Sequence, residues 1–203
     1  YVGGDARQSG IMQGEIVSEV IHADQKLDRN GDGKIQYVLL EGEAGHQDAI
    51  IRTDSVVRTI QSQGIYLEKL SYQFANWNRS QAENKMLQLI HQYGDDIELV
   101  LCNNDEMAMG AVDAYEDEGY PLEERPVIFG IDGLDGTLEA VKNGIIQGTV
   151  FNDRQGQAEQ IARLATDLFK GNALSGYDFV NERYIFLPYQ KVTISNVDTF
   201  MNR

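Results

Sequence analysis

Oxygen-bearing side chains recur at alternate positions between residues 28 and 36, where the sequence reads Asp-Arg-Asn-Gly-Asp-Gly-Lys-Ile-Gln. This spacing is that of a calcium-binding loop, which wraps a short backbone around a hard cation and needs a glycine at its sixth position, here Gly33. Such a loop takes its oxygen donors from positions 1, 3, 5, 7 and 9, which here are Asp28, Asn30, Asp32, the backbone carbonyl of Lys34 and Gln36. The pattern therefore predicts binding of Ca²⁺.

The twelfth position of the loop breaks the pattern, because Leu39 stands where an EF-hand has a bidentate glutamate. Calcium takes about six to eight oxygen ligands, so another carboxylate has to come from elsewhere in the fold. A buried strand is predicted to follow the loop, where an EF-hand has a second helix. The competing interpretation is a solvated Asp/Asn/Gly turn in front of a strand, which needs no metal.

A second group of chemically capable residues follows the ends of five predicted strands. Its polar and aromatic members are His46, Asp48, Arg52, Trp77, Asn103, Asn104, Asp105, Asp132, Asn152 and Asp153. Taken alone, each has an ordinary structural explanation. The aspartates at 48, 105 and 153 can cap helices, and Arg52 can form a surface pair with Asp48 one helical turn earlier. The asparagines can be turn residues, His46 a loop residue and Trp77 a filler of the core or surface.

Together these residues suit a neutral, polyhydroxylated ligand such as a sugar. Each sugar hydroxyl both donates and accepts a hydrogen bond, so carboxylates, cationic donors and amides all match it. Charged partners make such bonds roughly twice as strong as neutral ones. The apolar face of a pyranose stacks on an aromatic ring, a role that Trp77 can fill.

Apolar runs alternate with amphipathic helical patterns, and this alternation supplies the elements that must position both groups. Strands are predicted at 35–40, 65–70, 97–102, 127–131 and 146–151. Helices are predicted at 48–63, 80–93, 106–118 and 134–142. This regular repeat is typical of a parallel, doubly wound α/β sheet flanked by helices, which binds ligands at the carboxyl ends of its strands. The rhythm changes after Phe151, with a helix at 155–169 and a strand at 183–187 before Pro188.

The chain has 203 residues, 42% of them apolar, and a formal net charge of −15. This allows one large domain, or one and part of another. The charge argues against a nucleic-acid partner and against adhesion to an anionic membrane, because both need a basic surface. Cys102 is the one cysteine, so no internal disulfide is expected, and no apolar run approaches a membrane span. The chain begins at Tyr1 without a methionine or a signal segment, so we expect a processed product or an excised piece.

Several segments occur in the order and spacing of one known family. They are the 28–36 loop, Gly45-His46-Gln47-Asp48, Trp77, the run Asn-Asn-Asp-Glu-Met-Ala-Met-Gly-Ala at 103–111, Gly130-Ile131-Asp132 and the run Gly-Thr-Val-Phe-Asn-Asp at 148–153. In this order they resemble the galactose/glucose-binding proteins of bacterial ABC import and chemotaxis, which have the type I periplasmic binding protein fold. The similarity extends from Tyr1 to about Pro188.

The resemblance implies a role for each site residue, because in that family a sugar lies between two lobes. The implied hydrogen-bonding residues are His46, Asp48, Arg52, Asn104, Asp132 and Asn152. Trp77 would stack on one face of the sugar. The implied calcium ligands are Asp28, Asn30, Asp32, the Lys34 carbonyl, Gln36 and Glu98. Glu98 would supply the carboxylate that the loop lacks.

The resemblance also implies a division of the chain into parts of two lobes. Residues 1–152 correspond to a C-terminal lobe, 153–188 to a helix and strand of the N-terminal lobe, and 189–203 to a tail that returns to the C-terminal lobe. The first third of the family's chain, which builds most of the N-terminal lobe and an opposing aromatic ring, has no counterpart here. We therefore expect weak or undetectable binding of glucose and galactose by this chain alone.

The leading functional hypothesis is a non-enzymatic receptor for a hexose such as glucose or galactose. It would deliver the sugar to the membrane components of an ABC importer and, in chemotaxis, to a chemoreceptor. The expected location is the periplasm or the cell exterior, with a lipid anchor in a Gram-positive bacterium and no direct membrane insertion. One alternative is the effector domain of a sugar-responsive transcription regulator, although no DNA-binding module is evident. Another is a calcium-stabilised structural fragment. A third is a glycoside hydrolase that uses two of Asp48, Asp105, Asp132 and Asp153.

Overall fold

Apolar runs form the strands of the computed structural model, which describes residues 1–201. The strands are β1 Val2–Gly3, β2 Ile35–Glu41, β3 Leu67–Phe74, β4 Leu99–Cys102, β5 Val127–Phe129, β6 Thr149–Phe151, β7 Ile185–Phe186 and β8 Gln190–Val192. The helices are α1 Ala6–Ala23, α2 Gln47–Ser62, α3 Arg79–Tyr93, α4 Asp105–Asp117, α5 Asp135–Lys142 and α6 Arg154–Lys170. Short 3-10 turns occur at Gln25–Leu27, Gly94–Asp96, Leu122–Glu124 and Val197–Thr199.

The described strands β3, β2, β4 and β5 form a parallel sheet in that order. Bridges from Phe129 to Gly148 and from Asp132 to Phe151 continue the parallel pairing to β6, which pairs antiparallel with β8. Strand β1 pairs in parallel with β7, outside this sheet. The predicted parallel α/β architecture is confirmed. The residues that follow β2 to β6 therefore meet at one edge of the sheet.

Strand β2 lies at the centre of the core, and all seven of its residues are buried. Successive residues of a strand point to opposite faces, so its side chains alternate between two apolar clusters. Val38 and Leu40 pack on the side of α3, α4 and α5. Tyr37 and Leu39 pack on the side of α1 and α2. A central strand that is covered on both faces needs such a continuous apolar run.

Helix α1 is not among the sequence predictions, because small and polar residues build much of its buried face. These buried positions are Ser9, Gly10, Gln13, Gly14 and Ser18, and they interrupt the apolar periodicity. The glycines allow close packing against α2. A Cβ at Gly10 would lie 2.7 Å from the Arg52 carbonyl oxygen, and one at Gly14 would lie 2.7 Å from the Thr59 Cβ.

The predicted bounds shift most at the ends of the fold. The strand expected at 65–70 runs instead from Leu67 to Phe74, because its charged residues face solvent from an edge strand and do not interrupt it. The strand expected at 183–187 is reduced to Ile185–Phe186. The expected tail at 189–203 contributes β8, and its last two residues lie outside the described residues. No helix within residues 1–201 is long and apolar enough to cross a membrane.

Candidate functional site

Trp77 follows β3 in a turn where Asn76 and Trp77 both have positive φ angles, 52° and 61°. Its indole lies directly against Gly42, since a Cβ built there would come within 2.2 Å of the ring. The His46 ring meets the indole edge-on at a centroid distance of 5.3 Å. The Arg52 guanidinium lies 5.7 Å from the indole centroid. The indole is therefore held in one orientation while it remains partly exposed.

Arg52 is a buried cation that the protein holds through several contacts. Its Nη1 donates to the Asn103 carbonyl at 2.7 Å, and its Nη2 donates to the Tyr189 hydroxyl at 3.1 Å. Nη1 also lies 4.0 Å from Asp132 Oδ1. Among residues 1–201, the buried Nε has no hydrogen-bond partner. In the described chain Arg52 thus pairs with Asp132 rather than with Asp48, and its planar donors are fixed before any ligand binds.

Asp132 has a φ of 134°, which a residue other than glycine rarely adopts. Two backbone hydrogen bonds hold it there. Its N–H donates to the Val150 carbonyl at 2.9 Å, and its own carbonyl accepts the Asn152 N–H at 3.0 Å. The Asn152 side chain also donates to the Asp132 carboxylate. Burial raises the pKa of that carboxyl, and the Arg52 and Arg154 guanidiniums oppose the rise.

Asn104 and His46 each cap a helix beside Trp77. Asn104 Oδ1 accepts the Met107 N–H at 3.1 Å at the start of α4, and its Nδ2 donates to the Trp77 carbonyl at 3.4 Å. His46 Nδ1 accepts the Asp48 N–H at 3.2 Å at the start of α2. Asp48 is thus the second residue of its helix and not the cap. Helix capping therefore explains the presence of two of the polar residues at the strand ends, His46 and Asn104, without a ligand.

Asp105 is the first residue of α4 and is fully buried. Its Oδ1 accepts the Thr149 hydroxyl at 2.6 Å, and its Oδ2 accepts the Leu134 N–H at 2.8 Å. Burial and the nearby Asp132 carboxylate raise its pKa to about 7. The sequence places Asp105 in the polar group at the strand ends, as a possible helix cap or hydrolase carboxylate. The cap interpretation is wrong, since Asn104 caps α4. Asp153 does cap its helix, α6, through the Gly156 N–H at 2.9 Å.

The structure brings together the side chains of six of the seven residues that were predicted to contact a ligand, and Asp48 adjoins them through its backbone N–H. We call this group the ligand edge, and its members are His46, Asp48, Arg52, Trp77, Asn104, Asp132 and Asn152. Tyr189, which holds Arg52, was missed because it lies 137 residues away in the chain and no local pattern connects the two. A cavity of about 760 Å³ opens beside the start of α6, and its described lining does not include the ligand edge.

The 28–36 loop is organised by hydrogen bonds to its own carboxylates. The Asp28 carboxylate accepts the N–H groups of Gly31, Asp32 and Gly33 at 2.8, 3.1 and 2.9 Å. Asn30 Oδ1 accepts the Asp32 N–H at 2.9 Å, and Asp32 Oδ1 accepts the Lys34 N–H at 2.8 Å. The positive φ angles of Gly31 and Gly33, 70° and 82°, permit the tight turn.

Glu98 directly precedes β4, and its carboxylate contacts the loop. Its buried carboxylate accepts the Arg29 N–H at 2.5 Å and the Gln36 N–H at 2.9 Å. Burial raises the pKa of Glu98, and these backbone N–H groups oppose the rise. Gln36 Nε2 donates to Asp32 Oδ2 at 2.9 Å. In the part of the chain that the structure describes, the buried Gln36 Oε1 has no hydrogen-bond partner.

The remaining predicted donor is the backbone of Lys34, whose side chain points away to pair with Glu68 at 2.7 Å. Within residues 1–201, no group of three or more His, Cys, Asp and Glu side chains could hold a metal ion. The predicted calcium set contains three carboxylates, those of Asp28, Asp32 and Glu98, and the described structure does not bring them together as such a group. The calcium site therefore stays a prediction.

The fold and the ligand edge are those of a ligand-binding α/β protein, and comparison with known proteins identifies its family. The model described as "Periplasmic binding protein domain" matches residues 1–173, so the chain belongs to that family. The family consists of binding proteins and not of enzymes, as the resemblance predicted. The glycoside hydrolase alternative is therefore wrong.

Individual relatives show how much of the family's length is present. The D-galactose/methyl-galactoside binding periplasmic protein MglB of Haemophilus influenzae is 36% identical over 99% of this chain and 60% of its own length. The putative rhizopine-binding protein of Rhizobium meliloti is 35% identical over 97% of this chain and 61% of its own. An ABC transporter solute binding protein from Bacillus halodurans C-125, solved with bound myo-inositol, is 30% identical, with a TM-score of 0.81 over 98% of this chain and 62% of its own. The chain thus spans about 60% of the length of these relatives.

Proposed function

We propose that this chain binds a monosaccharide at the ligand edge, with glucose or galactose as the first candidates. The observation that carries this proposal is the convergence of three different groups on one spot. The Arg52 guanidinium lies 5.7 Å from the Trp77 centroid and 4.0 Å from the Asp132 carboxylate. A sugar ring would meet an apolar plate, a donor and an acceptor there.

The charge balance of the ligand edge supports a neutral ligand. The Arg52 cation is paired with the Asp132 carboxylate, so a charged ligand is not needed to neutralise either group. The names of the relatives agree with this preference, because they include a binding protein for D-galactose and methyl-galactoside and a structure with myo-inositol. Each of these ligands is a ring that carries several hydroxyl groups.

We further propose that the receptor delivers its sugar to the membrane components of an ABC importer and, in chemotaxis, to a chemoreceptor. Its location would be the periplasm or the cell exterior, with a lipid anchor in a Gram-positive bacterium. Support for the transport role comes from the relative that is named as an ABC transporter solute binding protein.

The proposed division into lobes assigns residues 1–152 and the tail to one lobe and 153–188 to the other. Helix α6 supports this division, because within the described chain it buries none of its side chains. Ile161, Leu168 and Phe169 on this helix are 50%, 58% and 92% exposed. A helix that carries apolar side chains of this size is normally covered on one face.

Titration of the protein with glucose, galactose and myo-inositol, followed by the fluorescence of its one tryptophan, tests the sugar proposal directly. We expect a saturable change at about millimolar sugar, because the ligand edge is open to solvent on one side. Asp132→Asn should abolish the response. The control is Asp117→Asn, at an exposed position near the end of α4. An unsaturable response in the wild type would reject sugar binding, and micromolar affinity would contradict the expectation of weak binding.

We also propose that the 28–36 loop and Glu98 bind Ca²⁺ as a structural ion. The proposed ligands are Asp28, Asn30, Asp32, the Lys34 carbonyl, Gln36 and Glu98. The buried, unpartnered Gln36 Oε1 supports this assignment, because buried polar oxygens nearly always have a partner and a cation would supply one. Glu98 adds the carboxylate that position 12 of the loop does not provide.

Thermal unfolding with Ca²⁺ and with excess chelator tests the calcium site. An ion that binds only the folded state adds about 2.7 kcal/mol at a hundred times its dissociation constant, so the chelator should lower the melting temperature by several degrees. Asp32→Asn should remove most of this difference. Asp117→Asn, an exposed position at the end of α4, is the matched control and should retain it. An unchanged wild-type melting temperature in chelator would contradict the proposal.

A further inference from the structure

Asp105 contacts the chain on both sides of Asp132. Its backbone N–H donates to the Ile131 carbonyl at 2.8 Å. Its carboxylate accepts the Leu134 N–H at 2.8 Å and also a hydrogen bond from the Gly133 N–H. One residue of α4 therefore holds the residue before Asp132 and the two residues after it.

This support matters because the Asp132 backbone is strained. Its φ of 134° lies in a region that is unfavourable for a residue other than glycine and that persists only where the surroundings impose it. On the other side, Val150 in β6 and Asn152 directly after it each form one backbone hydrogen bond with Asp132. The Thr149 hydroxyl ties the same β6 to Asp105 at 2.6 Å. Asp105 is thus the point where α4, β6 and the turn at 131–134 are joined.

The contacts need a side chain with two acceptor oxygens, which asparagine does not offer. Asp105 accepts three hydrogen bonds from Thr149, Leu134 and Gly133. An asparagine amide has one acceptor oxygen, and its NH₂ group would face one of these donors. The Asp105 carboxyl also fits closely against Gly130, because a Cβ at position 130 would lie 2.2 Å from Asp105 Oδ1.

We propose that Asp105 is a positioning residue, which holds the turn at 131–134 and thereby aims the Asp132 carboxylate at the ligand. This inference rests on the proposed function, because it assumes that Asp132 contacts the sugar. It extends that function to a residue that is fully buried and does not touch the ligand itself. The Asp132 orientation is thus set from the interior of the protein and not by the ligand.

Asp105→Asn is the first test, read out by amide NMR and by sugar titration. We expect the Gly133 and Leu134 amide resonances to move upfield, because they lose a carboxylate acceptor. Sugar affinity should fall on the order of tenfold, the loss expected when a buried hydrogen-bonding group is left unsatisfied. Asp117→Asn, at the exposed end of the same helix, should change neither. Unchanged amide resonances in a folded Asp105→Asn protein would overturn the inference.

Thr149 provides a second test that keeps Asp105 in place. Thr149→Val removes the hydroxyl that donates to Asp105 Oδ1, whereas Thr149→Ser keeps it and removes only a methyl group. We expect Thr149→Val to shift the Leu134 amide and to weaken sugar binding several-fold, with Thr149→Ser close to the wild type. A purely structural role would instead make both substitutions act through packing, and equal effects of the two would count against positioning.

The two readouts separate the inference from the proposed function. If the wild-type protein gives no sugar response, the proposed function fails, and the amide shifts of Asp105→Asn still decide whether Asp105 holds the turn. If sugar binds but Asp105→Asn keeps full affinity, the proposed function stands and the positioning role is rejected. If the affinity falls and both amides move, both are supported.

Discussion

Individual residues of the ligand edge are held in place before any ligand is present. Arg52 is fixed by hydrogen bonds to Asn103 and Tyr189, and the Trp77 indole by its contact with Gly42. Preorganised donors and a preorganised ring reduce the ordering cost of binding, so more of the contact energy appears as affinity.

Gly42→Ala tests this preorganisation at the residue scale. The new methyl group would come within 2.2 Å of the indole, so Trp77 has to move outward. We expect red-shifted tryptophan emission, loss of the sugar response and a destabilisation of about 1–3 kcal/mol, as for other overpacked positions. The control is Gly136→Ala in α5, where a Cβ would meet nothing within 4 Å. Wild-type emission and sugar response in Gly42→Ala would show that the indole is not held by this contact.

The members of the ligand edge could be predicted from sequence because each follows a strand or lies in the first two turns of the next helix. The strand ends are local signals, and a parallel sheet brings them to one edge. Tyr189 and Asp105 could not be assigned in the same way. Tyr189 accepts a hydrogen bond from Arg52, which lies 137 residues earlier in the chain. Asp105 accepts one from Leu134, which lies 29 residues later. Such pairings follow from tertiary packing, which no local pattern encodes.

At the scale of elements, apolar strands and amphipathic helices were predictable where burial requires apolar side chains. Strand β2 is the clearest example, with its continuous apolar run. Helix α1 was not predictable, because its close contact with α2 requires glycines at positions 10 and 14 and thus removes the apolar signal. The strand predicted at 65–70 ends four residues before the observed β3. The second half of this edge strand contains polar residues, which resemble a turn in the sequence.

Across the whole molecule, Asp105 links stability to pH. Its pKa is about 7 in the folded protein and 3.8 in a free side chain, so the folded state keeps a proton between these values that the unfolded chain has released. The unfolded state therefore binds fewer protons, and the free energy of unfolding should fall as pH rises through this window. The stabilising contribution of Asp105 is fully present at pH values below this window and is lost at pH values above it.

Urea unfolding near pH 5 and near pH 8 measures this linkage. We expect the wild type to lose more stability than Asp105→Asn between the two values, by about 1 kcal/mol or more, because the asparagine cannot titrate. Raised carboxyls that do not contact Asp105, such as Glu98, contribute to both proteins and cancel in the difference. Identical pH slopes for the two proteins would show that Asp105 titrates normally.

Strand β2 connects the two proposed sites. Gln36 near its start belongs to the cation loop, and Glu41 at its end precedes Gly42, on which the indole rests. At about 3.3 Å per residue, the strand is a rod of roughly 20 Å. It is buried along its whole length and hydrogen-bonded to a neighbour on each side, so it is stiff. An ion bound near Gln36 would restrain one end of this strand. It would not touch the sugar, yet it would limit the displacement of Gly42, against which the Trp77 indole packs.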